Sequence, residues 1–233
     1  MKAMILAAGR GERLRPYTDT CPKPLLDVGG KPLIVWHIER LAAAGVRDIV
    51  INHAWLGEQY AVRLGNGAEW GVRLQYSAEP RALETAGGIA QALPLLGSSP
   101  FLLLSGDVYT QFDYAHLVRE AVQFVTTPQR LAHLVMVPNP PYHPNGDFAL
   151  DATTGLIAPD SAAPRLCYGS IGICHPRIVA GIAPGTEARL GPLLIEAARA
   201  GRVSGERFDG PWVNVGTPDD LAQADALARA PRQ

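Results

Sequence analysis

Hydrophobic and polar positions follow two different periods along the first half of the chain. Short apolar runs predict strands at residues 4–7, 46–52, 72–76 and 101–104, and the second of them is rich in β-branched residues. Between these runs, apolar positions recur every three or four residues and predict helices at residues 32–44, 55–64 and 85–95. Strands that alternate with helices assemble into parallel sheets covered on both faces. The pattern therefore predicts a Rossmann-like, doubly wound α/β fold with a mixed, mostly parallel sheet.

The texture of the sequence changes after about residue 125. Prolines crowd residues 138–144, and the strand candidates become shorter, at residues 131–137, 147–150 and 166–174. Two further helices are predicted at residues 189–199 and 218–229. Neither an internal repeat nor a low-complexity tract divides the sequence. We interpret residues 1–233 as a single domain made of two halves.

The net charge of the chain limits the classes of ligand and partner that it can attract. The chain has 233 residues, 47% of them hydrophobic, which is enough to bury a full core, and its formal net charge is -1. A nearly neutral chain exerts no long-range attraction on nucleic acid or on an anionic membrane. We therefore expect small-molecule ligands and neither a nucleic-acid nor a membrane partner. The oligomeric state stays open at this stage.

The cysteines and the N-terminus bear on the compartment. Cys21, Cys167 and Cys174 are odd in number and lack the spacing of a metal site, a usage typical of a reducing compartment. The apolar run within residues 1–8 is too short for the core of a secretory signal and is needed as the first strand. The sequence predicts a cytoplasmic protein.

The segment between the first strand and the first long helix carries the strongest chemical signal. Gly9 and Gly11 follow the strand directly, and the positive charges of Arg13 and Lys23 come next. Glycines let the backbone approach a ligand and point successive amides at phosphate oxygens. The segment lacks the Gly-x-x-x-x-Gly-Lys-Ser/Thr run of a P-loop, and Leu14 stands where a dinucleotide fingerprint needs its third glycine. These residues predict another kind of triphosphate-binding loop.

Lysine usage narrows the choice of a catalytic cation. The chain has three lysines: Lys2 opens a strand, Lys31 opens a helix, and Lys23 lies between two prolines. Proline restricts its own backbone and that of the residue before it, so Lys23 is held in place. We expect Lys23 to be the lysine of the site.

The residues Gly9, Gly11, Glu12, Arg13, Leu14 and Pro16, followed by Pro22-Lys23-Pro24, resemble the opening signature of the sugar-1-phosphate nucleotidyltransferases. These enzymes join a sugar 1-phosphate to a nucleoside triphosphate and release pyrophosphate. The resemblance implies a GT-A-like nucleotidyltransferase domain. In it, residues up to about 125 bind the nucleotide and residues from about 126 bind the sugar. It also implies catalytic roles for Lys23, at the α-phosphate, and for Arg13, at the departing pyrophosphate.

Two separate motifs point to a metal ion. Asp107 follows the apolar strand 101–104, and a carboxylate at the end of a strand can hold Mg²⁺ on triphosphate oxygens, although Gly-Asp is also common in plain turns. The resembling family keeps its metal aspartate here, and its second one in a Trp-x-Asp-x-Gly-Thr motif. In this chain that second position is Asn214. An amide oxygen adds no charge, so we expect weaker binding of the predicted cofactor, Mg²⁺.

Residues 76–88 resemble the family's base-reading loop and the helix that follows it. Uracil and guanine both present an N–H donor, which Glu79 or backbone carbonyls could accept, so the base stays open. The resemblance implies nucleotide-binding roles for Ala8, Gly9, Gly11, Glu12, Arg13, Lys23, Glu79, Glu84, Gly88 and Ser105.

The sugar is indicated by what the second half contains and lacks. Most hexose-1-phosphate members carry a Glu-Lys-Pro motif, which is absent here. Residues 139–148, 169–173 and 203–206 instead resemble members that transfer uridylyl from UTP to N-acetylmuramate 1-phosphate in peptidoglycan recycling. The resemblance implies that four residues bind the sugar substrate: Asn139, Gly146, Asp147 and Ser170. It also implies that Arg165 lies near the lactyl carboxylate.

Two alternatives remain open. One is a mannose- or glucose-1-phosphate nucleotidyltransferase, which shares every general motif above. The other is a non-catalytic nucleotide-sugar-binding protein, for which Asn214 is the one positive indication. The joint presence of Arg13, Lys23 and Asp107 argues against the second, because a protein freed from catalysis has no need of all three.

Overall fold

A computed structural model describes residues 1–230. The strands are β1 (Lys2–Leu6), β2 (Asp27–Val28), β3 (Lys31–Pro32), β4 (Asp48–His53), β5 (Arg73–Ala78), β6 (Phe101–Ser105), β7 (Val108–Thr110), β8 (Ala132–Val137), β9 (Phe148–Leu150), β10 (Ile157–Ala158), β11 (Arg165–Cys174), β12 (Val203–Arg207) and β13 (Trp212–Asn214). The helices are α1 (Tyr17–Thr20), α2 (Leu33–Ala43), α3 (Glu58–Leu64), α4 (Glu84–Leu96), α5 (Tyr114–Glu120), α6 (Gln123–Thr126), α7 (Leu190–Arg199) and α8 (Pro218–Arg229).

One mixed sheet of nine strands runs through both halves of the described chain. Its centre is parallel, in the order β6-β1-β4-β5. The second half joins through β11, which pairs antiparallel with β6, with β8 and, at its first two residues, with β9. Strand β12 then pairs parallel with β8. The structure confirms the predicted α/β class and its mixed sheet.

Helices cover both faces of the sheet because successive side chains of each strand point to opposite sides. Along β1, Ile5 packs into one apolar cluster with Ile34 and Ile38 of α2. Its neighbour Met4 packs into the opposite cluster, with Ile89 of α4. All five side chains are at most 2% exposed, so the parallel centre is buried on both faces, as such sheets usually are.

The order of the strands creates a crevice. After β1 the chain adds β4 and β5 on one side, then crosses over to place β6 on the other side of β1. Open α/β sheets bind ligands where the strand order reverses, beyond the carboxyl ends of the strands. The residues after β1 and those after β6 meet at that point.

The predicted strands and helices agree with the structure within a few residues, with one clear exception. The helix predicted from residue 55 begins at Glu58, because residues 54–57 form a tight turn in which Leu56 has a φ of 50°. Strands β2, β3, β7 and β10 were too short to leave a periodic signal, and α5 and α6 were also not predicted. Within residues 1–230, none of the helices combines the length and apolar character needed to span a bilayer.

Candidate active site

The loop after β1 offers a row of unused backbone amides. Among the described residues, the amides of residues 8–13 donate no backbone–backbone hydrogen bond. Gly11 has a φ of 70°, and a Cβ built there would lie 3.0 Å from Thr18 Cγ2 and 3.2 Å from Lys23 Cβ. Glycine is therefore required for the loop to fold back against Lys23. Successive free amides of this kind form an anion-binding concavity.

Lys23 projects from a short 3-10 turn, Lys23–Leu25, and lies between Pro22 and Pro24. Its neighbour Leu25 is 1% exposed and anchors the turn in the core. The Lys23 ammonium contacts the carboxylate of Asp107, and its side chain is 12% exposed. The turn thus holds a positive charge at the mouth of the crevice.

Asp107 and Asn214 lie side by side. Strand β13 pairs antiparallel with β7, which sets Asn214 opposite Val108, and the amide of Val215 donates to the carbonyl of Asp107 over 2.9 Å. The predicted metal pair is therefore brought together. One carboxylate and one amide supply oxygen donors only, the donor type that suits a hard divalent cation.

Opposing effects act on the charge of Asp107. Burial raises its pKa, but the Lys23 ammonium and the Ser105 hydroxyl, which donates to Oδ1 over 2.7 Å, outweigh burial. The pKa of Asp107 is held below its ordinary value. Asp107 is consequently ionised at neutral pH.

A cavity of about 270 Å³ opens between the ends of β1 and β6. Five of the ten predicted nucleotide-binding residues line it together with Asp107: Ala8, Gly9, Lys23, Glu84 and Ser105. Asn52 and Thr85 also line it, and the sequence analysis did not single them out as site residues. Asn52 could have been found in the sequence as a polar residue near the end of an apolar strand.

Glu79 and Gly88 lie behind this cavity rather than on its wall. The Glu79 carboxylate is 5% exposed and accepts hydrogen bonds from Asn52 Nδ2 over 2.7 Å and from the amide of Leu83 over 2.9 Å. Asn52 Oδ1 in turn accepts from the amide of Ala7 over 2.9 Å. A Cβ on Gly88 would lie 2.8 Å from both Asn52 Nδ2 and Glu79 Oε1. Both residues thus shape the cavity from outside, and base reading by Glu79 stays a prediction.

Glu84 adopts a backbone conformation that non-glycine residues rarely hold. Its φ is 59° at the first position of α4, and its side chain lies 3.8 Å from Arg189 Nε. Strain of this kind is commonly retained at functional sites. The turn directs residues 84–85, at the N-terminus of α4, into the cavity.

A second cavity, of about 530 Å³, lies on the Asn214 side. Arg13, Tyr142 and Trp212 line it, together with residues at the start of α8. A Cβ on Gly216 would lie 3.0 Å from Arg13 Nη2, so this glycine makes room for the guanidinium. Asp107 lines the first cavity and Asn214 the second, so the predicted metal pair lies between the two. Tyr142 was not predicted as a site residue from the sequence.

The predicted substrate-binding residues brace the loop that carries Tyr142. Asn139 Nδ2 donates to the carbonyls of Pro144 and Arg165, each over 3.0 Å. Gly146 packs on Asn139 with a φ of 60°. Asp147 accepts from the amide of Tyr168 over 2.7 Å. None of the four predicted residues lines the second cavity, as far as the described residues go.

Ser170 and Arg165 both lie on β11, away from that cavity's lining. Ser170 has a φ of 55° within an irregularity of β11 between Tyr168 and Gly172, where the register with β8 shifts. Arg165 Nη2 donates to the carbonyl of Pro159 over 3.3 Å. Contact of either residue with a sugar remains a prediction.

Comparisons with known proteins agree with this arrangement. The family profile described as nucleotidyl transferase matches residues 2–148. The chain belongs to the nucleotidyl transferase family. It is 51% identical over 232 residues to the N-acetylmuramate alpha-1-phosphate uridylyltransferase of Neisseria meningitidis serogroup B, covering 99% of each chain. The predicted resemblance to sugar-1-phosphate nucleotidyltransferases is confirmed, and the protein is an enzyme of that class.

Other nucleotidyl transferases are more distant. The Caulobacter vibrioides N-acetylmuramate alpha-1-phosphate uridylyltransferase is 36% identical, over 98% of this chain and 97% of its own. A mannose-1-phosphate guanyltransferase of Schizosaccharomyces pombe is 31% identical, and the match spans 64% of its length. A solved structure of a proposed glucose-1-phosphate thymidylyltransferase from Bacillus anthracis, 23% identical, superposes with a TM-score of 0.84 over 100% of this chain and 97% of that one. At that identity the superposition supports the fold alone.

Proposed function

We propose that this enzyme transfers uridylyl from UTP to N-acetylmuramate 1-phosphate, giving UDP-N-acetylmuramate and pyrophosphate. The observation that carries the proposal is the 51% identity to the Neisseria meningitidis uridylyltransferase across 99% of both chains. The absence of the Glu-Lys-Pro motif supports it further. The reaction would belong to peptidoglycan recycling in the cytoplasm, where UTP is available and the three free cysteines stay reduced.

The two cavities suit the two substrates. We assign the 270 Å³ cavity between β1 and β6 to the nucleotide, because Ala8 and Gly9, at the start of the loop with free amides, and the N-terminus of α4 line it. We assign the 530 Å³ cavity beneath Tyr142 and Trp212 to the sugar. Its aromatic walls suit the apolar faces of a pyranose ring, and Arg13 lies where this cavity meets the predicted metal pair. The reacting groups then meet between Asp107 and Asn214.

The chain's own residues account for most of the catalysis. The attacking phosphate oxygen of a sugar 1-phosphate is already an anion, so no general base is needed and the enzyme must orient the two anions and neutralise charge. Lys23, held rigidly by its turn, would contact the α-phosphate. Arg13 would steady the pyrophosphate as it leaves. Asp107 and Asn214 would hold Mg²⁺, which supplies charge neutralisation and alignment of the phosphates when bound.

A pyrophosphate-release assay tests the proposal. UTP, dTTP, GTP and CTP are each combined with N-acetylmuramate, N-acetylglucosamine, glucose and mannose 1-phosphates in the presence of Mg²⁺. We expect a strong signal for UTP with N-acetylmuramate 1-phosphate alone. Preference for another pair would refute the assigned substrates and keep the mechanism. No signal on any pair, in protein shown to be folded, would favour a binding role and point to Asn214.

A further inference from the structure

The turn between β4 and α3, residues 54–57, is strained and closely packed. Leu56 has a φ of 50°, and a Cβ on Gly57 would lie 1.9 Å from His53 Nδ1. Just before the turn, Asn52 of β4 already supports the nucleotide cavity through Ala7 and Glu79. Backbone strain of this kind persists only where the surroundings enforce it, and it is common beside functional sites. The side chain that the turn presents is Trp55.

Trp55 is tied to the loop that follows β1. Its indole Nε1 donates to the carbonyl of Thr18 over 3.0 Å. The Thr18 hydroxyl donates in turn to the carbonyl of Gly11 over 2.8 Å, and Thr18 is 1% exposed. Gln59, on α3, donates to the carbonyl of Thr20 over 2.9 Å. The strained turn and the start of α3 thereby hold both the loop and the short helix α1 behind it.

The same indole carries the guanidinium of Arg10. Arg10 Cζ lies 3.6 Å from the centroid of the Trp55 ring. Asp19 lies 3.8 Å from Arg10 Nη2, beyond hydrogen-bond distance, and pairs more closely with Arg15 Nε at 3.2 Å. A guanidinium stacked on an aromatic face keeps the N–H donors along its edge free. Arg10 is part of the Gly9–Gly11 turn, so this charge lies next to the free amides.

We propose that Arg10 is a further triphosphate-binding residue and that Trp55 is the positioning residue that holds its guanidinium beside the Gly9–Gly11 turn. The proposal rests on the loop being the triphosphate loop, as assigned under the proposed function. Arg10 binds the terminal phosphates rather than the reacting one, because Lys23 serves the α-phosphate. Losing Arg10 is therefore expected to weaken binding of the triphosphate and to leave the chemical step largely intact.

Calorimetric titration with three probes separates the contributions. The probes are Mg²⁺-UTP, UMP and inorganic tripolyphosphate, and the variants are Arg10→Met, Trp55→Leu and the double variant. Charged hydrogen bonds of this kind are worth about tenfold or more in affinity. We expect Arg10→Met to weaken UTP and tripolyphosphate binding about tenfold and UMP binding less than twofold. In turnover assays the Michaelis constant for UTP rises while kcat changes less than about threefold.

The double variant decides whether Trp55 acts through Arg10. We expect Trp55→Leu to weaken UTP binding by about the same factor as Arg10→Met, and the double variant to bind within about twofold of either. Trp55→Phe keeps the ring under Arg10 and removes the hydrogen bond to Thr18, so it binds better than Trp55→Leu and remains informative if Trp55→Leu fails to fold. Lys31→Met is the matched control, because Lys31 Nζ lies 3.8 Å from the Trp36 ring, in a cation–aromatic contact that takes no part in the assigned site.

Two results would overturn the proposal. One is tripolyphosphate binding by Arg10→Met within twofold of the wild type. The other is a double variant in which the two losses multiply, which would mean that Trp55 and Arg10 act independently. The tripolyphosphate probe carries neither base nor sugar, so its result stands even if the substrates assigned under the proposed function are wrong.

Discussion

The ammonium of Lys23 contacts the carboxylate of Asp107 across the crevice between β1 and β6. The two residues come from separate motifs, one after the first strand and one after the sixth, and β1 and β6 are neighbours in the sheet. Their opposite charges lower the cost of burying either one. The contact joins the proposed phosphate-binding cation to the proposed metal ligand.

Removing the Lys23 charge is predicted to slow turnover severely. Loss of one preorganised electrostatic donor typically costs about a hundredfold or more in kcat. We expect Lys23→Ala to show at least that loss in pyrophosphate release with the preferred substrate pair. Lys31→Ala, which removes a lysine that pairs with Glu39 outside the site, is the control and should retain near wild-type turnover. A Lys23→Ala variant within a few-fold of the wild type would remove Lys23 from the mechanism.

Adding a carboxylate at position 214 is predicted to strengthen metal binding. Asn214 adjoins Asp107 and contributes an oxygen donor without charge. We expect Asn214→Asp to lower the Mg²⁺ concentration that gives half-maximal rate, measured by titrating Mg²⁺ at saturating substrates. Asn66→Asp, at an exposed position outside both cavities, should leave it unchanged. An unchanged or raised requirement in Asn214→Asp would exclude residue 214 from the metal site.

Gly88→Ala is predicted to disturb the nucleotide cavity from behind. The added Cβ would stand 2.8 Å from Asn52 Nδ2 and Glu79 Oε1, and hydrogen bonds to each other and to the amides of Ala7 and Leu83 hold both buried side chains in place. Overpacking of this kind costs about 1–3 kcal/mol of unfolding free energy. Urea unfolding should show this loss, and calorimetry should show weaker UTP binding. Gly191→Ala offers a matched helical control, since nothing lies within 4 Å of its Cβ position. Equal stability of the two variants would refute the packing argument.

His37 is predicted to make the protein less stable in acid. Burial, aided by the charge of Arg40, lowers the pKa of His37 to about 4, and its Nδ1 lies 2.6 Å from the Tyr114 hydroxyl. The unfolded chain has a histidine pKa of about 6.5, so as pH falls from 6.5 towards 4 the unfolded state binds a proton that the folded state refuses. The contribution of neutral His37 to the free energy of unfolding is therefore complete above pH 6.5. Below pH 6.5 it falls by up to about 1.4 kcal/mol per pH unit.

Urea unfolding of the wild type and His37→Asn between pH 4 and 7 checks this prediction. Asparagine can still hydrogen-bond to Tyr114 but cannot titrate, so the variant should lose less stability per pH unit than the wild type. The slopes are compared, because every titratable group other than residue 37 is the same in both proteins. Parallel slopes would mean that His37 is not the acid-sensitive group.

Local chemistry made much of the site predictable. The glycines at positions 9 and 11, the prolines around Lys23 and the strand before Asp107 each constrain their own neighbourhood, so the meeting of this loop with Asp107 beyond the ends of the strands could be predicted. The roles of these residues towards phosphate and metal stay predictions. The alternation of strands and helices likewise determined the α/β class. Such signals arise within a few residues of one another and do not depend on how the sheet is ordered.

Contacts between distant segments were decided by the tertiary structure alone. The Asn52–Glu79 pair, the stacking of Arg10 on Trp55 and the approach of Tyr142 to the Asn214 cavity each join residues from different loops. The sequence indicated neither that Glu79 would turn inward nor that Asn139 would brace a loop. Which side chains meet across the crevice depends on the order of the strands and on the paths of the loops between them. No local pattern of apolar and polar residues encodes that order.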